Sequence, residues 1–559
     1  MSAREPANPS ARRGLGVHDR PRAAPSRPLY AGARESLASL VDVRRLSGYA
    51  WATIAATIAF VALTCWWLTQ DRSIPIYDAG DHLETAFVFH RMLASGNLLG
   101  PFNFESPYPP FALLIGALSV FVGGVNVNSP IIGENLVFVP LLTLGCYQTG
   151  RLLFGPRAGM LAAIFVLGSD LLIAQFHVFM LDAPEAAVVA VSIWLLLACE
   201  DFSRVGVAGA AGLAAGIGLS TKVQYPPFVM GVVLMALARG GWRNWRGLLT
   251  FAGAALIVGA PWYLDHLSQF STFLQVSTAN PIVVPGDVPP TFSLTSFTWY
   301  FWNILNSQLL VPLFTLLLAG TIWMVATLAR QRDGARLELF AGAFVAWLFI
   351  TVTPSHDIRY GIPLLPYLAV IATGWIVYMP RALAWAAIVV LALGVSANTL
   401  GTTFGLGNTV KLALAHPVPP GEELPDTITL YSTAGFLVAG PSRDGDVPGL
   451  LANLKREGVQ TVAWSFGQST ASDFDTEGLL PLTQVAGLLH VITGAPEFSS
   501  SSYIATLIHL PITTSSPPAC TRLSDGTGVW VVRYDTSASK LAYYCPTRRP
   551  QFYDPGAVS

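Results

Sequence analysis

Apolar stretches long enough to cross a bilayer recur along this chain, and no other feature limits its fold as strongly. A helical span needs about 20 apolar residues. Runs of that kind lie near 49–70, 131–150, 157–176, 183–199, 205–220, 226–240, 247–264, 307–329, 337–353, 361–380 and 382–403. In lipid the backbone must satisfy its own polar groups, so each run reads as a helix. Composition agrees: the 559 residues are 52% hydrophobic and only 12% charged, where soluble domains carry about 25% charge. An ordinary soluble enzyme and a disordered chain are both excluded. A net charge of -1 leaves no electrostatic footprint for nucleic acid. Five cysteines without a CxxC pair give neither a disulfide scaffold nor a zinc site. A preference for Arg over Lys, with abundant Ala, Gly and Pro, suits a bacterial chain, whose home would be the plasma (inner) membrane.

Arginine positions orient the runs, because basic flanks stay inside. The loops holding Arg151 and Arg157, then Arg204, then Arg239, Arg243 and Arg246, then Arg330, Arg332 and Arg336, then Arg381 should be cytoplasmic. A shorter run, 111–125, decides the parity. If it crossed, all ten of these arginines would lie outside. If it rests on the outer face as a surface helix, all ten lie inside. The expected fold is therefore a multi-pass α-helical membrane protein with about eleven spans. Its N-terminus is cytoplasmic and its C-terminal segment extracytoplasmic.

The domain reading follows. Residues 1–48 are Arg-rich and lack an apolar core before Tyr49, so they read as a disordered cytoplasmic tail and not as a cleaved signal. Residues 49–403 form the transmembrane domain, with long outer loops at 71–130 and 265–306. Loops of that length are usually functional. Residues 404–559 are soluble in character. TITLYS, GVQTVAWS and VWVVRY read as strands and VPGLLANLKREG as a helix, giving a small α/β extracytoplasmic domain without a Gly-rich phosphate loop.

The first outer loop opens with IPIYDAGDHLETAFVFHRMLASGN. Asp78, Asp81 and Glu84 recur every three residues, which places them on one helical face. A plain capping role for Asp81 and Glu84 is the competing explanation. Other charged residues converge on the same side: His177, Asp182 and Glu185 in HVFMLDAPEA, Lys222 in GLSTKVQYPP, and His356, Asp357 and Arg359 in TPSHDIRYGIP. A carboxylate at that level can take a proton from an acceptor hydroxyl. An Arg or Lys can hold a phosphate whose charge grows as it leaves. A transporter would instead place its charges near the bilayer midplane. The in-span candidates are Glu134, close to the outer end, and Asp170, expected to bond a neighbouring helix.

These residues resemble the polytopic glycosyltransferases of the GT-C class, the group of the protein O-mannosyltransferases and the lipid A aminoarabinose transferase. The resemblance rests on the aspartate opening the first-loop helix, the Arg91–Gly96 stretch, Tyr108, Pro109, Pro110 and Phe111, the Gly150–Gly155 turn, Leu181 with Asp182, Thr221 with Lys222, and Arg359 with Tyr360. It covers 77–240, and more loosely reaches 378. Tyr-Pro-Pro stands where many relatives have His-Pro-Pro, so the acceptor type does not transfer.

The resemblance implies that Asp81 is the catalytic base, with Asp78 one turn away as its rival, and that Asp182 supports the base or the acceptor. It implies that Lys222, and with it Arg359, contacts the lipid phosphate. Glu84, Tyr360 and His356 complete the expected substrate-binding set. The implied reaction moves a sugar from a polyprenyl-phosphate donor to a lipid, glycan or protein acceptor on the outer face, with inversion. A divalent metal beside Asp78 and Asp81 is chemically compatible, but no ligand motif specifies one. A transporter or flippase of lipid-linked sugars is the alternative, and a non-catalytic assembly protein a third reading. In the C-terminal domain, Cys520 and Cys545 bracket VWVVRY and are expected to form a disulfide on the oxidising side.

Overall fold

The computed structural model describes residues 46–271 and 292–414, apart from 72, 74, 76, 77, 269, 331, 332 and 355. Beyond them it describes 427–436, 447–456, 461–466, 476–494, 529–535, 540–544 and 551–552. The tail up to residue 45, much of the second long loop, and both Cys520 and Cys545 lie outside the described residues.

Helix α1 (Gly48–Gln70) starts on a Ser47 cap whose hydroxyl accepts the Ala50 N–H. It runs antiparallel to α4 (Asn128–Phe154): Ser47 meets Tyr147, Thr57 bonds Thr143, and Asn128 bonds the Leu68 carbonyl. Between them lie α2 (Asp78–Ala94) and α3 (Phe111–Gly123), as expected for the first loop. Helix α3 makes side-chain contacts within the first half of α4. Phe111 packs on Phe138, and Ser119 donates to the Ser129 carbonyl, while α4 runs on to Phe154.

Helices α5 (Pro156–Leu167) and α6 (Asp170–Phe176) form one pair bent by 68° at Gly168 and Ser169. Then follow α7 (Asp182–Ala198), α8 (Val205–Leu219), α9 (Tyr225–Ala238) and α10 (Trp245–Asp265). Gly212 and Gly216 let α8 lie directly on the backbone of α10 at Phe251 and Ala255, the close approach that small residues permit. The second long loop differs from expectation. Its end, read as loop up to residue 306, holds α11 (Leu294–Asn303), capped by Ser293 and joined by a π-helical turn (Ile304–Leu309) to α12 (Leu310–Arg330). The run TWYFWN is apolar enough to pack, with Tyr300 fully buried. Helix α13 (Gly334–Val352), a 3-10 segment (Ile358–Leu364), α14 (Leu365–Gly374) and α15 (Arg381–Thr402) complete the bundle.

The protein is an integral multi-pass membrane protein, but not every expected run is a full-length span. Among the described residues, seven helices are long and apolar enough to cross a membrane, or eight with the bent pair counted as one. The shortfall against eleven falls on α7, α8 and α9, which have 17, 15 and 14 residues. Helix α7 is buried along nearly its whole length. Its surroundings are protein, so its length is set by neighbouring helices.

Beyond α15, β1 (Val410–Ala413) and β2 (Thr427–Tyr431) form an antiparallel hairpin. Asn306 fixes it to the bundle, bonding the Thr427 carbonyl and the Thr429 N–H. Next come α16 (Val447–Arg456), β3 (Thr461–Phe466), α17 (Thr476–Val485), β4 (Leu489–Gly494), β5 (Val529–Asp535), β6 (Lys540–Tyr544) and β7 (Gln551–Phe552). The second sheet has the order β4-β3-β5-β6-β7, with β3 parallel to both β4 and β5. The expected strands and helix are all present. Helix α17 leaves this unit and packs on α2, burying Leu480 and Thr483 completely.

Candidate functional site

The two ends of the bundle carry different chemistry. At one end, Arg239 joins the α7–α8 turn to α13. Its guanidinium meets Asp201 and Glu338 at 2.5 Å each and donates to the Gly334 carbonyl. Arg336 lies nearby within 6 Å of the Phe154, Trp323 and Tyr378 rings. At the opposite end the N-termini of α2 and α7, the α8–α9 turn and the segment before α14 come together, and with them most of the charged residues singled out from the sequence.

Lys222 sits where α8 ends and α9 begins. The turn is held by α3, whose Phe111 N–H donates to the Ser220 carbonyl. Lys222 Nζ donates to Asp182 Oδ1 at 2.5 Å, lies 3.9 Å from Glu185 Oε2, and stands 5.4 Å from the centre of the Tyr360 ring. Burial pulls its ammonium down, but Asp182 and Glu185 raise it above its ordinary value. Asp182 opens α7 after the loop His177–Leu181, which Asn135 steadies through the Phe176 carbonyl at 2.8 Å.

Arg359 lies in the 3-10 segment that precedes α14. Asp357 caps that segment through the Arg359 N–H and grips the guanidinium through Nε and Nη2. Arg359 Nη1 reaches across to Asp78 Oδ2 at 2.8 Å. Burial pushes the Asp78 carboxyl up, yet His82, Arg359 and Lys222 together hold it below its ordinary range. His82 is itself pushed down to about 4 by burial, so at neutral pH it is uncharged and Arg359 does that work. The Tyr108 hydroxyl lies within electrostatic reach of Asp78, Tyr360, Arg359 and Asp81, and burial followed by Asp78 pushes it well above its ordinary value.

Asp78, Asp81, Asp182, Lys222, Arg359 and Tyr360 are thus drawn into one cluster. Two expected members are turned elsewhere. Three-residue steps drift by about 60° each on a helix. Glu84 therefore ends about 120° round from Asp78, between Arg91 and Gln484 of α17, where burial raises it to about 7. His356 bonds Ser296 at 3.1 Å and stacks on Tyr300, with Trp299 against its edge.

One member of the cluster was missed. His82 follows Asp81 directly and is 3% exposed. Its Nδ1 faces the Phe179 carbonyl at 3.2 Å, and the Tyr108 ring meets it nearly at right angles at 4.9 Å. A histidine one turn after an aspartate was the available signal. Among the described residues no group of three or more His, Cys, Asp or Glu is arranged to hold a metal ion.

With this geometry in view, residues 107–264 match the sequence profile of the dolichyl-phosphate-mannose-protein mannosyltransferase family. The fold is similar to that of ArnT from Cupriavidus metallidurans. In the apo state the TM-score is 0.56 at 16% identity, over 86% of this chain and 92% of that one. For ArnT bound to undecaprenyl phosphate it is 0.57 at 15% identity, over 87% and 93%. The oligosaccharyltransferase of Archaeoglobus fulgidus is a more distant likeness, at 12% identity and a TM-score of 0.46 over 80% of this chain and 65% of that one. No curated protein sequence matches the chain. The resemblance to GT-C glycosyltransferases read from the sequence is borne out, by profile over part of the chain and by fold over most of it. Over 107–264 the chain is similar to that family, and its fold is similar to that of ArnT.

Proposed function

We propose that the protein transfers a sugar from a polyprenyl-phosphate carrier to an acceptor hydroxyl on the outer face of a bacterial plasma membrane. The observation that carries this reading is the meeting of Lys222 and Arg359, from distant parts of the chain, beside the aspartates that open α2 and α7. Asp81 takes the acceptor proton as the new oxygen–carbon bond forms at the anomeric carbon. The bond from that carbon to the phosphate oxygen breaks, and the electron pair leaves on the lipid phosphate. Attack opposite the leaving group inverts the centre. Arg359 spends three of its five N–H groups on Asp78 and Asp357, and Lys222 spends one of its three on Asp182. The remaining donors answer the charge that grows on the phosphate. The ArnT structure with bound undecaprenyl phosphate supports a carrier of this class.

The proposed topology puts the Lys222–Arg359 end outside and the Arg239–Arg336 end in the cytoplasm, as the positive-inside rule asks. The short reach of α3 along α4 supports its placement on the outer face. The C-terminal α/β unit is then extracytoplasmic. Transport would draw on the bent α5–α6 pair. Its break is satisfied by a neighbouring helix: Asn398 donates to the Gly168 carbonyl and Thr402 bonds Asp170. That arrangement favours a fixed wall over a moving path.

Mass spectrometry of envelope glycans from cells with and without the gene tests the reaction. Loss of one glycosylated product, restored by wild type and not by Asp81→Asn, is expected; an unchanged glycan profile overturns it. A reporter active only in the cytoplasm should work after Arg157 and fail after Asn126 and Asp357. Activity after Asn126 would dismantle the outer site.

A further inference from the structure

We propose that His82 binds a substrate hydroxyl: its Nε2 accepts a hydrogen bond from an OH of the transferred sugar or of the acceptor, beside the base. The inference rests on the glycosyl-transfer reading and adds to it a residue that orients substrate. The tautomer is fixed by chemistry. Nδ1 faces the Phe179 carbonyl, which can only accept, so Nδ1 carries the hydrogen and Nε2 carries the lone pair. That Nε2 is buried and meets no donor among the described residues. Buried acceptors in folded proteins are nearly always paired.

The cations nearby turn N–H groups to carboxylates, and among the described residues none meets Nε2. Lys222 donates to Asp182 at 2.5 Å, and Arg359 to Asp78 and Asp357. The Tyr108 ring closes one side of the imidazole. Burial keeps the ring neutral near pH 7, so Nε2 stays an acceptor. Asp78, Asp182 and Lys222 all lie within electrostatic reach of His82. On α2 it is the residue after Asp81 and lies about 40° from Asp78. A polyol substrate reaching Asp81 brings the missing donor to that position. A protein designed only to hold the Phe179 loop would need Nδ1 alone.

Two substitutions separate these roles, because an Asn amide overlays Nδ1 and a Gln amide reaches towards Nε2. His82→Asn keeps a donor for Phe179 and removes the Nε2 acceptor; His82→Gln can present its oxygen there. Each is expressed in the deletion strain, and product is measured by mass spectrometry per amount of folded protein. His82→Asn should make about tenfold less product or worse, at unchanged thermal stability, and His82→Gln should recover most of it. The reverse order, or Asn at wild-type level, overturns the proposal.

Purified protein assigns the hydroxyl. Extracted lipid-linked sugars serve as donor and the envelope fraction of the deletion strain as acceptor, each titrated separately. A rise in KM for the donor fraction assigns the OH to the sugar, and a rise for the acceptor fraction assigns it to the acceptor. A fall in kcat with neither KM moved assigns a contact made only in the transition state, and kcat and both KM values at wild-type level overturn substrate contact. If wild type itself restores no product, the glycosyl-transfer reading fails first and this inference with it, an outcome distinct from equal activity of wild type and His82→Asn.

Discussion

The ends of the bundle hold charge in opposite ways. Arg239 spends four of its five N–H groups on two carboxylates and a carbonyl, and the cluster ties the α7–α8 turn to the start of α13. At the other end, Lys222 and Arg359 keep N–H groups to spare, and His82 Nε2 and Glu185 Oε1 have acceptor capacity left over. A cluster that spends nearly all its cation's donors acts as a clasp between helices, whereas one that keeps several to spare has room for something else to complete it. Both kinds look alike in the sequence, as arginines and acids between apolar runs. The difference appears only when the partners are known.

Substitution should therefore separate activity from stability. The largest effect is expected at the open end. Asp81→Asn should lower transfer by about 10²–10⁴-fold with the melting temperature unchanged, and Asp78→Asn should cost less. Near-normal turnover by purified Asp81→Asn would move the base elsewhere. At the closed end the pattern should invert. Arg239→Ala leaves Glu338, 2% exposed, without its cation, which for a buried pair costs about 3–5 kcal/mol. Thermal unfolding in detergent should show that loss while the folded fraction keeps normal turnover. A selective loss of turnover would erase the contrast between the ends.

Lys222→Ala and Arg359→Ala come next. Each should weaken donor use by about 1.5–3 kcal/mol, roughly ten- to hundredfold in kcat/KM for the donor. Separate titrations of donor and acceptor check this, and an effect confined to the acceptor would reject the phosphate role. The smallest expected effect concerns Glu84, raised to about 7 by burial. A carboxyl raised on folding contributes stability that is full below its unfolded pKa and is lost as pH rises through 7. Glu84→Gln imitates the protonated form. It should raise the melting temperature at pH 8 by about 2–4 °C and do little at pH 5.

Much of the fold was legible because lipid enforces a single pattern. The apolar runs all became helices. What escaped were consequences of packing. Helices α7, α8 and α9 fall below full span length, and α7 is buried on all sides by its neighbours. The aromatic run at 294–303 reads as loop until Tyr300 finds its pocket. In the site, Asp78, Asp182, Lys222 and Arg359 were reachable from charge and resemblance. Glu84 was misplaced because a three-residue repeat drifts round a helix, and His82 was passed over because its partner is a backbone carbonyl. A carbonyl partner leaves no trace in residue identities.

The contact of α17 with α2 has a consequence in time. Gln484 reaches Glu84 from about 400 residues further along the chain. At about 5–20 residues per second, ribosomes need roughly 20–80 s to cover that distance. For that interval the helix bearing Asp81 is already in place while the element that seals its flank has not been made. Maturation of the site thus follows the order of synthesis. A chain stopped between α15 and α17 would hold its whole bundle and still leave Glu84 without that cover.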